Sequence, residues 1–233
     1  MERLRPIGED IWLAEGDCVS FYGFAYPTRS VIVRLRSGDL WFWSLIAFNP
    51  NLKSELDAIG TVRFLVSPNK IHHLFLGDWQ DAYPDAAVWG TKSTADKRPD
   101  LRFAGTLADE APPGWRNEIA QFWVRGSPAL DEVVFFHRQS RTLIFADLSE
   151  NFSAAFLQAH WAPWQRAIAR IWKIVAGWGY APLEWRLSFF DKSHLRRAKA
   201  HWLELDPENV IMAHGECQFG KGRAYIERAF AWV

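Results

Sequence analysis

The chain has 233 residues, 49% of them apolar, with 27 basic and 27 acidic side chains and no net charge. That length is ample for a real core in one large domain or two small ones, and the balanced charge singles out no partner class. The longest clean apolar run, "LWFWSLIAF", is interrupted by one Ser and is far too short to span a membrane.

Cys18 and Cys217 are the only cysteines and form no CxxC, which excludes a disulfide framework and a zinc-finger spacing. The opening "MERLRPIGEDIWLAEG" carries acids and no long apolar core, so it does not read as a signal peptide. A cytoplasmic chain with free thiols is the expectation. The 14 tryptophans supply much buried area, and each buried indole N–H needs a partner. Several are expected half-exposed along a cleft or an interface, which leaves room for a homodimer contact.

Residues 31–46 read as a hairpin around a Ser-Gly-Asp turn. "NPNLKSELDAIG" reads as a short helix capped by Asn51 and ended by Gly60. "TVRFLV" is a buried strand. It ends in a Pro-Asn turn, followed by two histidines and a short helix over "GDWQDAYP". "AAVWG" is another strand, and residues 91–114 are loop-rich. "IAQFWVRG", "DEVVFFH" and "RTLIFADL" are strands. Residues 151–178 are helical with a break at Pro163, and a second helix covers about 192–203. "NVIMAHG" is a last strand and "GRAYIERAFAWV" a closing helix. No Pro/Gly/Ser-rich linker divides the chain, so residues 1–233 read as one domain with a helical, basic elaboration at about 151–203. Residues 151–200 hold eight Lys/Arg against two acids.

Three strands end on residues of metal-ligand type: "TVRFLVSPNKIHH" delivers His73, "RTLIFADL" delivers Asp147, and "NVIMAHG" delivers His214. A strand fixes the backbone while the ligand projects into the crevice beyond its end. Imidazole with carboxylate suits zinc, iron or manganese. His72 is expected to face away from His73, because neighbours on an extended chain point to opposite faces.

This ordered set resembles the metallo-β-lactamase superfamily over nearly the whole chain. In that family a strand leads into a His-x-His-x-Asp-His loop, a later strand ends on an aspartate that bridges two metals, and a near-terminal strand ends in a Gly-His-Gly-like turn. Here "TLIFADL" corresponds to the aspartate strand, and "DPENVIMAHGE" to the final histidine turn, with Ala213 where glycine is usual. The resemblance implies an α/β fold, a four-layer αββα sandwich, with extra helices near the C-terminus. The departure lies in the metal loop. With His73 as the first histidine, Phe75, Gly77 and Asp78 occupy the other ligand positions. Three or four side chains cannot hold two ions. The resemblance therefore implies a reduced site with one zinc or iron ion at most, ligated by His73, Asp147 and His214, with Asp78 as ligand or general base.

A small-molecule hydrolase with a reduced site and a binding or scaffold protein without catalysis both fit this sequence. Arg166, Arg170 and Lys173 make one helical stripe. Read as a solvated face, it disfavours a nucleic-acid partner. No membrane partner is indicated.

Overall fold

Strands in the middle of each sheet are apolar on both faces, because each sheet is covered from both sides. The computed structural model describes residues 3–233, so Met1 and Glu2 of the N-terminal stretch lie outside the described residues. The larger sheet runs β1 (Leu4–Gly8), β2 (Ile11–Phe21), β3 (Phe24–Arg34), β4 (Asp39–Trp43), β5 (Thr61–Ser67), β6 (Ala87–Gly90) and β7 (Phe103–Thr106) in spatial order. It is antiparallel as far as β4 and parallel from β4 onward. The smaller sheet has the order β11 (Asn209–Met212), β10 (Thr142–Phe145), β9 (Glu132–His137), β8 (Ile119–Val124), with β10 and β11 parallel.

Period-2 alternation sorts these side chains into layers. Trp41 and Trp43 of β4 face the other sheet, where they join Val31, Val33, Phe135, Ile144 and Ile211 in the inter-sheet core. Leu40 and Phe42, one residue out of phase, face outward and pack under α1 (Pro50–Ile59) and α2 (Leu76–Ala82) with Leu52, Leu56 and Trp79. On the smaller sheet Val134, Phe136, Leu143 and Phe145 face outward under α6 (Leu183–Ser188), α7 (Ser193–Glu204) and α8 (Gly222–Ala229), against Trp185, Trp202 and Ile226. The result is helix, sheet, sheet, helix. A further apolar cluster, Phe152, Leu157, Trp161 and Ala169, seats α4 (Ala154–His160) and α5 (Pro163–Trp172) against the β2–β3 ribbon. A short α3 (Lys92–Lys97) follows β6. No helix among the described residues is long and apolar enough to cross a membrane.

Local chemistry moves some boundaries from where the sequence pattern puts them. Asn49, not Asn51, caps α1: its Oδ1 accepts from the backbone N–H groups of Asn51 and Leu52, and Pro50 takes the first helical position, where no N–H is needed. Pro163 opens α5 in the same way, which accounts for the break in residues 151–178. The strand β7 falls in a stretch read as loop, and β1 and β2 carry no clean alternation. Past Gly16 the β2–β3 register shifts and the ribbon leaves the core, so its side chains are partly exposed.

Tryptophan use is divided. Trp79, Trp161 and Trp185 donate their indole N–H to the carbonyls of Ile46, Ala25 and Leu130. The indole nitrogens of Trp41, Trp43, Trp115 and Trp202 are buried without a partner. Trp164 and Trp178 are exposed.

His137 closes β9 at the far end from Glu132. It is 1% exposed and bonds through Nδ1 to the Ser140 hydroxyl at 2.7 Å. Burial lowers its pKa to about 4, with Asp10 opposing weakly. A histidine with a lowered folded pKa gives stability that is complete above its unfolded value, about 6.5, and is lost as pH falls toward the folded value. Between about pH 6.5 and 4 the protein is therefore expected to lose roughly 3 kcal/mol through this group alone. Urea midpoints measured across that window should fall less steeply for His137→Gln than for the wild type, and parallel profiles would remove His137 as the cause.

Candidate metal centre

Asp147 lies two residues past the end of β10, 4% exposed. A carboxylate at that depth needs partners, and three side chains supply them. Asn69 Nδ2 donates to Oδ2 at 2.7 Å, His72 Nε2 lies 3.1 Å from the same oxygen, and His214 Nε2 lies 3.3 Å from Oδ1. Burial alone would raise the pKa of Asp147. The His72 charge and the hydrogen bonds from His214 and His72 outweigh it and hold the group well below the usual carboxylate range. The same interaction raises His72, against the lowering effect of its own burial.

The main chain beneath this carboxylate is held by a second acid. Glu132, 0% exposed, accepts from the backbone N–H groups of Ala146, Asp147 and Leu148 at 2.8, 2.7 and 3.2 Å. Burial first, then the Asp147 charge, pushes its pKa up to about 8. All its bonded partners are N–H donors, with Asn69 at 3.4 Å as the fourth, so its lone pairs are satisfied as a carboxylate, the form this geometry favours.

The loop after β5 turns instead of running extended, and that turn decides which histidine enters the site. Asn69 Oδ1 accepts from the N–H groups of Ile71 and His72, and Ser67 Oγ donates to the carbonyls of Asn69 and His72. His72 is thereby turned inward, and its Nδ1 meets Ser44 Oγ at 2.8 Å. Ser44 holds a left-handed backbone, φ 51°, which is strained for a residue with a side chain. The expectation for His73 is corrected here. His73 lies outside the cluster, its carbonyl held by Arg98, and burial together with Lys97 and Arg98 lowers its pKa. Asp78 is also displaced: it sits exposed on the face of α2 opposite Leu76 and Trp79, beside Arg98, and does not line the site.

His214 follows β11. Its Nδ1–H donates to the Pro27 carbonyl at 2.8 Å. A carbonyl can only accept, so in the neutral ring the Nε2 lone pair points at Asp147 and requires a proton or a cation between them. Gly215 comes next at φ 95°, where a Cβ would meet the Asn151 backbone at 2.4 Å. That approach lets Glu216 N–H reach the Asn151 carbonyl at 2.8 Å and Asn151 N–H reach the His214 carbonyl at 3.2 Å. Buried Arg29 bonds the carbonyls of Met212 and Gly215 on either side of His214 through Nη1, at 2.6 and 2.7 Å.

His72, Asp147 and His214 thus present ligand atoms that all lie within 4.8 Å of one another. The donor set fits a single ion. Two ligands each about 2.0–2.1 Å from a tetrahedral zinc lie roughly 3.3 Å apart; His72 Nε2 is 3.1 Å from Asp147 Oδ2 and His214 Nε2 is 3.3 Å from Asp147 Oδ1, so the two rings approach different oxygens of the carboxylate. Two imidazoles and one carboxylate suit zinc or iron and leave a coordination position open. The cluster opens into a cavity of about 570 Å³, lined by Ser44, Phe75, Glu150 and Trp185 and edged by Phe21, Tyr22 and Leu74.

No family profile matches this sequence, and no curated protein matches it. Solved structures do. DIM-1 metallo-β-lactamase exposed to ceftazidime superposes with a TM-score of 0.67 at 15% identity, over 97% of this chain and 93% of that one. A metallo-β-lactamase from Pontibacter korlensis gives 0.63 at 13% identity, over 96% and 98%. The FIM-1 enzyme from Pseudomonas aeruginosa, in its mono-zinc form, gives 0.61 at 11% identity, over 99% and 96%. The chain has the metallo-β-lactamase fold. In that fold the candidate ligands here come from the loops after β5, β10 and β11, at one edge of the two sheets.

Asn69, Ser44 and Glu132 were not singled out as a group by the sequence. The only available signal was the Pro-Asn pair after β5, whose side-chain amide commonly closes a turn. Glu132→Gln keeps the shape but sets an amide NH₂ against backbone donors. It should destabilise the protein by roughly 3 kcal/mol, measured as a lower urea midpoint at pH 7. An unchanged midpoint would show that the three backbone N–H groups do not depend on the acid.

Proposed function

We propose that this chain works as one metallo-β-lactamase-like unit with a reduced, mononuclear metal site, and that it hydrolyses a small molecule. The observation that carries this reading is the convergence of His72 Nε2, Asp147 and His214 Nε2 at the inner end of a cavity of about 570 Å³. That volume is in the range of small-molecule sites. FIM-1, of the same fold, was solved in a mono-zinc form, which supports one ion as a workable state. The absence of a CxxC and the two free cysteines suit a cytoplasmic location.

A zinc or iron ion held by His72, Asp147 and His214 would supply Lewis acidity for hydrolysis. The chain's own contributions are separate. Pro27 and Ser44 fix the tilt of the two imidazoles. Asn69 keeps one Asp147 oxygen oriented, and Glu132 fixes the backbone that carries it. Leu45, Phe75 and Trp185 restrict water at the cavity wall. Asp78, exposed and outside the cavity, is not part of this proposal.

A second reading has its own support. His72 and His214 each already face one oxygen of Asp147, so as imidazolium partners they can satisfy the carboxylate without an ion. In that case the cavity belongs to a non-catalytic binding or scaffold protein.

Metal analysis of untagged protein after incubation with zinc or iron separates the two. The mononuclear reading expects about one ion per chain, lost in His72→Ala/His214→Ala and kept in His73→Ala. No bound ion in the wild type would sink the hydrolase reading and leave the binding protein.

A further inference from the structure

One wall of the cavity carries acids that the candidate ligands do not use. Glu150, three residues past Asp147, is 1% exposed and lines the cavity, and its Oε2 is buried without a hydrogen-bond partner. Glu184, exposed at the N-terminal end of α6, lines the same cavity. Neither takes part in an ion pair among the described residues. A carboxyl oxygen left unpartnered at that depth is costly on an anion, and its natural complement is a cation delivered through the cavity.

Other features of the wall limit what that cation can be. Tyr26 and Trp185 belong to the same lining, with Phe21 at the rim. The Tyr26 hydroxyl lies beside Glu150, which opposes the rise that burial and the charges of Asp147, Glu184 and Glu132 impose on the acid. Aromatic side chains together with carboxylates recognise organic ammonium groups, where ring faces and acids share one positive charge. The cations of the cavity are placed elsewhere. Arg29 is occupied by Glu15 and the two carbonyls beside His214. Lys70 and Lys97 come from the loop after β5 and from α3, on the larger sheet, whereas Glu150 and Glu184 come from the smaller sheet's side.

We propose that Glu150 and Glu184, with Tyr26 and Trp185, form an ammonium-binding subsite, so that the ligand of this cavity is an organic amine with an apolar body. The proposal rests on reading the cavity as the substrate site, but the subsite does not require the metal.

The test uses three probes of similar shape: phenethylamine, 2-phenylethanol and 3-phenylpropionate. Each is titrated calorimetrically into the full chain at pH 7, once after chelator treatment and once after zinc loading. The amine is expected to bind about tenfold more tightly than the alcohol, with or without zinc. That preference should be lost in Glu150→Gln and reduced about threefold in Glu184→Gln. If Glu150→Gln does not fold, Glu184→Gln, changed at the exposed rim, decides alone. Equal binding of amine and alcohol, or a preference for 3-phenylpropionate, overturns the subsite. Amine selectivity in a protein that takes up no metal keeps the subsite and removes the hydrolase. Metal uptake without amine selectivity does the reverse.

Discussion

Everything at the mouth of the two sheets is arranged around the buried carboxylate of Asp147. Asp147 is 4% exposed and draws Asn69, His72 and His214 onto its two oxygens. These partners come from two loops, after β5 and after β11, and Asp147 from a third, so the carboxylate ties the ends of β5, β10 and β11 together. Removing one partner of a buried charge is far more damaging than losing a surface pair. Glu132 adds a layer below, clamping the backbone of residues 146–148. The site is therefore also a structural joint, and ligand geometry and loop geometry cannot vary independently.

The histidine pair has the same logic. Each imidazole uses Nδ1 outward, to Ser44 or Pro27, and Nε2 inward, to Asp147. With the outer nitrogens engaged, the rings are preorganised, and what lies between them and the carboxylate is either a proton or a metal ion. The rings sit 5.4 Å apart between centroids. The hydrolase and the binding reading differ only in which of the two cations occupies that space.

The layers and most of the strands were legible in the sequence because burial enforces period. "VIVRLRSGDLWFW" alternates as it does because Trp41 and Trp43 face one core while Leu40 and Phe42 face another. Asp147 and His214 were legible as polar residues at the ends of apolar strands. The choice of His72 over His73 was not, since it depends on Asn69 and Ser67 folding the loop into a turn, where the two-residue alternation of a strand no longer holds. Asp78 was misplaced for a similar reason. Its helix buries Leu76, Trp79 and Gln80, and that phase leaves Asp78 facing solvent. Glu150 was hidden because a buried acid leaves no mark on sequence periodicity.

The parallel pairing of β10 with β11 joins Thr142–Phe145 to Asn209–Met212, with α4 to α7 in between. Strand pairs that distant in sequence form slowly, since a long loop must close before any contact rewards it. His214 reaches Asp147 only when that closure is complete. Until then the aspartate lacks one of its partners, and the half-built edge of β10 stays open to pairing with another chain. The centre is thus expected to be among the last parts of the molecule to assemble, which would make its integrity a marker of completed folding.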